Sequence, residues 1–176
     1  MRLTLLVRRA VLASAVGAMC VISAVAMASQ QSHPQASGAT AKLPTILFLC
    51  PHGAAKSVLA SAYFQRAAKE RGLNVHVVSA GTDPDPQVAP AVASHLRKNG
   101  YELPIDKPRR ATAQDVSTAD VVISIGCDLR GLPAPTGTVL KWDDVPAPSE
   151  DFARADERIR ERVIQLVDEL VRKQRR

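Results

Sequence analysis

This sequence has few aromatic residues and few cysteines, and its histidines are not spaced like metal ligands. These absences argue against nucleic-acid binding and against a metal site. Phe, Trp and Tyr make up only 3% of the sequence, and they are not interleaved with basic residues as in proteins that stack on nucleic-acid bases. Nucleic-acid binding is therefore not expected. The four histidines show no spacing typical of a metal site, so we expect neither a metal nor a cofactor.

The net charge of +6 is unevenly distributed and does not change this expectation. Three of the 23 basic residues lie in the first 28 residues, which leaves 20 basic residues against 17 acidic ones in the rest of the chain. Four more basic residues end the chain, where they would complement the negative end of a terminal helix: Arg172, Lys173, Arg175 and Arg176.

The first 28 residues contain no acidic side chain and resemble an export signal. A region with three arginines precedes an apolar run over residues 10–26, which ends in the small-x-small sequence Ala26-Met27-Ala28. This order is typical of a secretory signal peptide over residues 1–28, and we expect cleavage after Ala28. The alternative is an uncleaved membrane anchor, but the run is short for a membrane span. We therefore expect an exported protein, periplasmic or secreted, that meets the membrane only through its signal peptide.

The folded part is expected to begin after a linker. Residues 29–42 are rich in Ser, Gln, Ala and Thr and have no apolar periodicity, which predicts a flexible segment. Residues 43–176 are enough for one domain with a real core. This domain contains two cysteines, Cys50 and Cys127, and in an oxidising compartment a disulfide between them is an alternative to any chemical role.

Continuous apolar runs alternate with amphipathic helical patterns along the predicted domain. Continuous runs are typical of strands buried on both faces, and glycines end the first two helical patterns. The alternation predicts an α/β fold, a three-layer α/β/α sandwich around a parallel sheet. The predicted strands are 45–49, 73–79, 121–125 and 138–142, and the predicted helices are 57–71, 89–99, 112–118 and a last one that begins at about Ser149.

The loop after the first strand has the composition of an anion-binding site. Binding sites in parallel sheets lie at the carboxyl ends of the strands, and Cys50 ends the first of them. Backbone N–H groups in a strand-loop-helix unit point into the loop, where the helix N-terminus adds positive potential. The expected anion-binding residues are Pro51, His52, Gly53, Ala54, Ala55 and Ser57.

Cys50 is the expected nucleophile of this loop. The backbone dipoles, the charge of Lys56 and the hydroxyl of Ser57 would all stabilise a thiolate. The alternative is a buried cysteine followed by an ordinary turn of small residues. The position directly after the first strand and before a helix favours the catalytic interpretation.

These residues resemble a known family. The Cys-x5-basic-Ser loop, the strand before it and the sequence Ser79-Ala80-Gly81-Thr82 are similar to those of the low-molecular-weight protein tyrosine phosphatases and the arsenate reductases of the same fold. The resemblance covers most of residues 43–172 and implies a four-stranded parallel sheet. It also implies that Cys50 attacks phosphorus or arsenic, that loop amides hold the oxygens and that Ser57 tunes the thiolate. Cys127 falls where the arsenate reductases carry a second redox cysteine.

The chain departs from that family at three places. Lys56 stands where the family has an arginine, whose planar fork binds two oxygens, whereas an ammonium is a point charge. Gly53 replaces the usual loop asparagine. The family's proton donor is an aspartate before a proline, but here that place is held by Ala147-Pro148. Asp143 or Asp144 could supply the proton, with Asp144 preferred, although a solvated acidic turn is an equally good interpretation of both.

Three functions are compatible with these residues. The leading hypothesis is an exported phosphatase-like hydrolase that acts on a phosphomonoester through a cysteinyl-phosphate, with protein phosphotyrosine implied by the resemblance. The first alternative is an arsenate reductase that uses Cys50, either alone or together with Cys127. Export would separate it from cytoplasmic thiols, and residues 130–133 lack the third cysteine of the thioredoxin-linked enzymes. The second alternative is a catalytically weak oxyanion-binding or regulatory protein. The expected partners are a phosphorylated protein, a small phosphomonoester or arsenate.

Overall fold

A computed structural model describes residues 42–175 of the chain. The predicted signal peptide, residues 1–28, lies outside the described residues, as do residues 29–41 of the predicted linker and Arg176.

All the strands of the described range belong to one parallel sheet, in which they lie side by side in the chain order second, first, third and fourth. Helices separate the strands along the chain, except between the third and the fourth. This confirms the predicted α/β fold with a four-stranded parallel sheet. The strands are β1 (Thr45–Cys50), β2 (His76–Gly81), β3 (Val121–Ser124) and β4 (Thr138–Lys141). The helices are α1 (Lys56–Glu70), α2 (Pro90–Lys98), α3 (Ala113–Thr118) and α4 (Phe152–Gln174).

Strand β1 lies at the centre of the sheet, and its side chains alternate between two layers of helices. Ile46, Phe48 and Cys50 pack in the cluster formed with α1, α2 and α4. Leu47 and Leu49 face the opposite cluster, to which α3 contributes. All six residues of β1 are buried, because helices cover both faces of this strand. The alternation places Cys50 on the same face of the sheet as α1, the helix that follows its loop.

Strand β4 does not follow the expectation that each strand is buried on both faces. It pairs only with β3 at one edge of the sheet, and most of its residues are exposed. Val139 keeps 38% of its surface in contact with solvent. A short apolar run is compatible with an edge strand, so burial on both faces could not be inferred from composition here.

The second strand begins later than predicted. The strand expected over residues 73–79 is found at His76–Gly81. Leu73 instead closes the end of α1, because its N–H donates to the Ala68 carbonyl (2.9 Å) after Gly72 turns the chain with a φ of 66°. The strand extends to Gly81, which pairs with Cys50 at the carboxyl end of the sheet.

The last helix also begins later than expected. Its N-cap is Asp151, whose carboxylate accepts a hydrogen bond from the Arg154 N–H (3.0 Å), and not Ser149. The Ala147 carbonyl accepts from the N–H groups of Glu150 and Asp151, so residues 147–151 form a turn before α4 starts. None of the helices in residues 42–175 is both long and apolar enough to span a membrane.

A capping box at the start of α3 makes stability depend on pH. Thr112 Oγ1 accepts from the Asp115 N–H (3.1 Å), and the Asp115 carboxylate accepts from the Thr112 N–H (2.8 Å). Arg109 also donates to both oxygens of Asp115, and mainly this contact lowers the pKa of Asp115 to about 2 from its usual 3.8. A depressed pKa stabilises the fold above pH 3.8, and that contribution is lost as the pH falls towards 2.

We expect Asp115→Asn to lower the free energy of unfolding at neutral pH by about 1–2 kcal/mol, because it weakens the capping box and removes the ion pair with Arg109. Urea unfolding at pH 7, 4 and 2 would measure this. The difference from wild type should shrink towards pH 2, where the wild-type carboxyl also becomes protonated. Asp106→Asn, at an exposed aspartate, is the control. A difference that stays constant over this pH range would contradict the assignment.

Candidate active site

The site is built around the loop that connects β1 to α1. Strand β1 ends at Cys50, which is 2% exposed, and residues 51–55 lead directly into α1 at Lys56. The N-cap residue Ala55 has no side-chain oxygen, and no side-chain hydrogen bond caps this helix. The first N–H groups of α1 are therefore available to a ligand, and no acidic residue in the first turn opposes an anion.

Backbone hydrogen bonds fix the direction of the loop amides. Four loop carbonyls accept from backbone N–H groups of residues 82–89, through the pairs Thr82 to Cys50 (3.2 Å), Asp83 to Pro51 (2.8 Å), Asp85 to His52 (3.0 Å) and Ala89 to Ala54 (3.0 Å). In a trans peptide the N–H points opposite to the carbonyl. The N–H groups of His52, Gly53 and Ala55 thus point away from residues 82–89. In the described part of the chain, none of these three N–H groups donates to another protein group.

This arrangement is what an oxyanion cradle requires. A tetrahedral oxyanion needs several donors that converge on it, and the loop presents backbone donors that the protein itself leaves unused. Pro51 has no N–H, so the donors start at His52. The predicted anion-binding role of the loop is thus compatible with its backbone geometry, and it stays a prediction for the individual residues.

Residue 53 must be a glycine for two reasons: its backbone conformation and its close packing on Gly81. The lack of a side chain also leaves room for an anion. Its φ is 60°, which favours glycine, and a Cβ at this position would lie 2.8 Å from the Gly81 nitrogen. A Cβ on Gly81 would in turn lie 2.6 Å from the Gly53 nitrogen. The loop therefore packs backbone to backbone on the end of β2. An asparagine at residue 53, as in the family resembled, would not fit this packing without a shift.

Three groups that can interact with a charged nucleophile surround the Cys50 sulfur. Cys50 Sγ and the buried Ser57 Oγ are hydrogen-bonded at 3.3 Å, and the hydroxyl can donate to a thiolate. The N-terminal end of α1 adds its positive potential. Lys56, the first residue of α1, lines the same cleft as Cys50 and adds a full charge.

The Lys56 ammonium extends towards the loop after β3. Its Nζ would lie 2.7 Å from a Cβ at residue 126, so the absence of a side chain at Gly126 leaves the space that the ammonium occupies. Gly126 has a φ of 59°. The next residue along the chain is Cys127. Lys56 thus lines the Cys50 cleft while its ammonium lies against the residue that precedes Cys127.

Cys50 opens onto a cleft of about 440 Å³, a size suited to a small ligand. Its walls are mostly small and apolar, with one aromatic ring from the start of α4: Pro51, Ala54, Ala55, Ala89, Pro90, Ala91, Val92, Ala147, Pro148 and Phe152. The polar residues of the lining are Cys50, His52, Lys56, Asp85 and Ser149.

Sequence reasoning missed Asp85 and Phe152 as lining residues of this cleft. In the sequence, Asp85 stands between two prolines, where aspartate is favoured for backbone reasons alone. The loops that follow neighbouring parallel strands meet at one edge of the sheet. This rule could have predicted that Asp85, in the loop after the second strand, lies near the Cys50 loop. Phe152 lay within the apolar stripe of the last helix, and nothing in the sequence distinguished it from a core residue.

The two aspartates considered as proton donors do not line this cleft. Asp144 lies 2.9 Å from Arg162 and 3.5 Å from Arg158, both on α4, and mainly the hydrogen bond from Arg162 lowers the pKa of Asp144. A proton donor needs the opposite shift. Asp143 lines a separate cleft that contains Cys127. The role of either aspartate as a general acid stays a prediction, and their placement does not favour it.

Cys127 lies after β3, near the Cys50 loop, and both cysteines are free thiols. Ser124 Oγ donates to the Cys127 carbonyl (2.6 Å) and lies 3.4 Å from its sulfur. Burial raises the pKa of the Cys127 thiol, and the proximity of Cys50 adds to that increase. A raised pKa lowers the thiolate fraction of Cys127 and hence its reactivity as a nucleophile.

Residues 45–131 match the family "Low molecular weight phosphotyrosine protein phosphatase". A Halobacterium salinarum protein named "Putative arsenate reductase" is 28% identical over 127 residues, which are 69% of this chain and 89% of that protein. Among solved structures, the thioredoxin-dependent arsenate reductase of Corynebacterium glutamicum is similar with 28% identity and a TM-score of 0.58. The alignment covers 76% of this chain and 62% of the reductase.

A low-molecular-weight phosphotyrosine phosphatase from Vibrio cholerae aligns over 73% of this chain and 96% of its own, with a TM-score of 0.64. Its sequence identity is 23%, so this likeness shows the shared fold. Phosphatases and arsenate reductases are thus both similar to this chain.

Proposed function

Because the chain belongs to the superfamily of the low-molecular-weight phosphotyrosine phosphatases and arsenate reductases, we propose that it hydrolyses phosphomonoesters through a cysteinyl-phosphate on Cys50. The observation that carries this proposal is the orientation of the loop, whose unused N–H groups at His52, Gly53 and Ala55 point away from the segment that binds its carbonyls. Phosphoryl oxygens fit such donors, and Cys50 ends the strand that leads into them.

The reaction needs two displacements at phosphorus. In the first, the Cys50 thiolate forms an S–P bond while the bond from phosphorus to the ester oxygen breaks. In the second, water forms a new P–O bond, the S–P bond breaks, and the thiolate and inorganic phosphate are released. The loop amides, Lys56 and the N-terminus of α1 stabilise the charge on the phosphoryl oxygens in both steps. The Ser57 hydroxyl, which accepts from the Cys50 thiol in the structure, donates to the thiolate when Cys50 attacks and when it leaves.

The lining of the cleft supports a substrate with an apolar or aromatic leaving group. Small apolar side chains and the ring of Phe152 form most of the wall around Cys50. A tyrosyl group buries apolar surface there and brings its phosphate to the loop. We propose protein phosphotyrosine, or a small aryl phosphate, as the substrate. The N-terminal sequence leads us also to propose export, which the N-terminal residue of the protein recovered from its native source would test.

Arsenate reduction is a second candidate, and the position of Cys127 is the observation that favours it. After Cys50 has attacked arsenate, a second thiol must reduce arsenic and release arsenite. Cys127 follows β3, the strand that pairs with β1, and Cys50 ends β1. Burial and a raised pKa make Cys127 a weak attacking thiol, which places this reaction second.

The two candidates differ in their dependence on Cys127. We expect the purified protein to hydrolyse p-nitrophenyl phosphate, and Cys127→Ser to do so at a rate within about threefold of wild type, since it removes no group from the proposed phosphatase steps. Arsenate-dependent oxidation of a small dithiol would be followed in parallel for both proteins. Absence of ester hydrolysis together with arsenate reduction that Cys127→Ser abolishes would replace the phosphatase proposal with the reductase.

A further inference from the structure

A phosphatase with this cleft needs a proton for its leaving group, because an aryl or alkyl oxyanion leaves poorly without one. Four ionisable residues line the cleft in the described part of the chain: Cys50, His52, Lys56 and Asp85. Cys50 is the nucleophile, and the Lys56 ammonium extends to Gly126 on the side of β3. His52 and Asp85 therefore are the remaining candidates, and the arginine-bound Asp144 lies outside the lining.

His52 and Asp85 are joined twice. The Asp85 N–H donates to the His52 carbonyl (3.0 Å), and Asp85 Oδ1 lies 3.4 Å from His52 Nδ1. The first contact is part of the set of backbone bonds that fixes the Cys50 loop. The second orients the imidazole, because a carboxylate favours a proton on the nitrogen that faces it. The other ring nitrogen, Nε2, is thereby left for a substrate in the cleft.

The exposure of the pair fits a position at the mouth of the cleft. The side chains of His52 and Asp85 keep 65% and 51% of their surface in solvent. An ion pair with this degree of exposure contributes little to the free energy of unfolding. The leaving group of a bound ester also points outwards, because its phosphoryl group occupies the loop at the bottom of the cleft. A proton donor is needed at the mouth and not beside the sulfur.

We propose that His52 is the general acid for the leaving group and that Asp85 is its positioning residue. This inference rests on the proposed phosphatase function. In the first step, the proton on His52 Nε2 passes to the ester oxygen as its bond to phosphorus breaks. In the second step, the neutral imidazole accepts a proton from the attacking water as the S–P bond breaks. His52 therefore gives up one proton and takes up one proton in each turnover, and it returns to its protonated form.

The test compares the kcat/KM of His52→Gln and of Asp85→Asn for two esters that differ in their leaving group. p-Nitrophenolate leaves readily without a proton, whereas phenolate needs one, so the two aryl phosphates differ mainly in their need for an acid. We expect kcat/KM of His52→Gln for phenyl phosphate to fall about 10²-fold, with a loss at least tenfold smaller for p-nitrophenyl phosphate. Asp85→Asn should show the same pattern with smaller losses, and Asp85→Glu should restore part of it.

The pH dependence provides a second readout. Wild-type kcat/KM for phenyl phosphate should decline on the alkaline side as the acid loses its proton, and His52→Gln should lack that decline. The charged or titratable groups that share the cleft with His52 are Cys50, Lys56 and Asp85. All three are retained in His52→Gln, so loss of the alkaline decline identifies His52 as its source.

Matched control variants exclude a general effect of substitution. His76→Gln changes an exposed histidine at the start of β2, and Asp83→Asn changes an aspartate of the same turn that pairs with Arg110. Both should retain wild-type kinetics with both esters, and all variants should keep the wild-type melting temperature. Equal losses with both esters, or no loss, for His52→Gln would overturn the proposal and leave the phosphatase function intact. Absence of turnover by wild type would overturn both.

Discussion

Replacement of Cys50 by serine is expected to lower kcat for p-nitrophenyl phosphate at least about 10³-fold, because it removes the nucleophile. A serine hydroxyl is not ionised near neutral pH, and the dipoles around residue 50 are too weak to change that. The backbone donors of the loop do not depend on this side chain, so affinity for inorganic phosphate should persist. Steady-state kinetics and isothermal titration with phosphate would measure the two quantities separately.

The same pair of measurements separates an enzyme from a protein that only binds oxyanions. An enzyme would show turnover that Cys50→Ser removes, while phosphate affinity changes little. A weak binder would show equal and negligible rates for both proteins, which would contradict the phosphatase proposal. Loss of both turnover and phosphate binding would instead indicate that the loop geometry depends on the thiol. Circular dichroism would confirm that the variant is folded.

Lys56→Met is expected to lower kcat about 10²-fold, the usual effect of removing one group that stabilises charge in a transition state. Methionine keeps much of the apolar stem while the ammonium is lost. Lys56→Arg keeps the charge and should stay within about tenfold of wild type. Lys69→Met, near the other end of α1, is a control for a change of helix charge. The comparison of kcat among these variants is the measurement, and wild-type kcat in Lys56→Met would contradict the role of its charge.

The loss of kcat expected for Lys56→Met depends on the position of the Lys56 ammonium. Lys56 lines the Cys50 cleft while its Nζ occupies the space left by Gly126. A point charge there attracts phosphoryl oxygens but cannot bind two of them through a planar fork. The backbone donors must therefore orient the phosphoryl group, and the lysine adds charge. Lower turnover than that of an arginine-containing site follows from this division of roles.

The part of the site that is local in sequence could be predicted from the sequence. A buried strand is recognisable from the apolar run before Cys50, and the small residues after it indicate a loop that ends at a helix. The resemblance then supplied the four-stranded sheet. Within that frame, the alternation of strands and helices was sufficient to predict the fold class.

The features that depend on tertiary packing could not be predicted in this way. The position of β4 at the sheet edge follows from strand order, which local patterns do not determine. Asp144 is held by two arginines of α4 that are 14 and 18 positions further along the chain. Asp85 reaches the cleft only because β2 lies next to β1. In each case the contact joins segments that are distant in sequence, and composition carries no information about it.

The backbone bonds between residues 82–89 and the Cys50 loop have a consequence for how much the loop sequence can vary. These bonds use main-chain atoms only, so most loop side chains are not needed to hold its shape. Gly53 is an exception, because a side chain there would meet Gly81. The buried Ala54 is another, because a larger side chain would need space in the core. An exposed side chain such as that of His52 can thus carry a reactive group without distorting the cradle. The loop is a scaffold whose chemistry can diverge while its shape is retained.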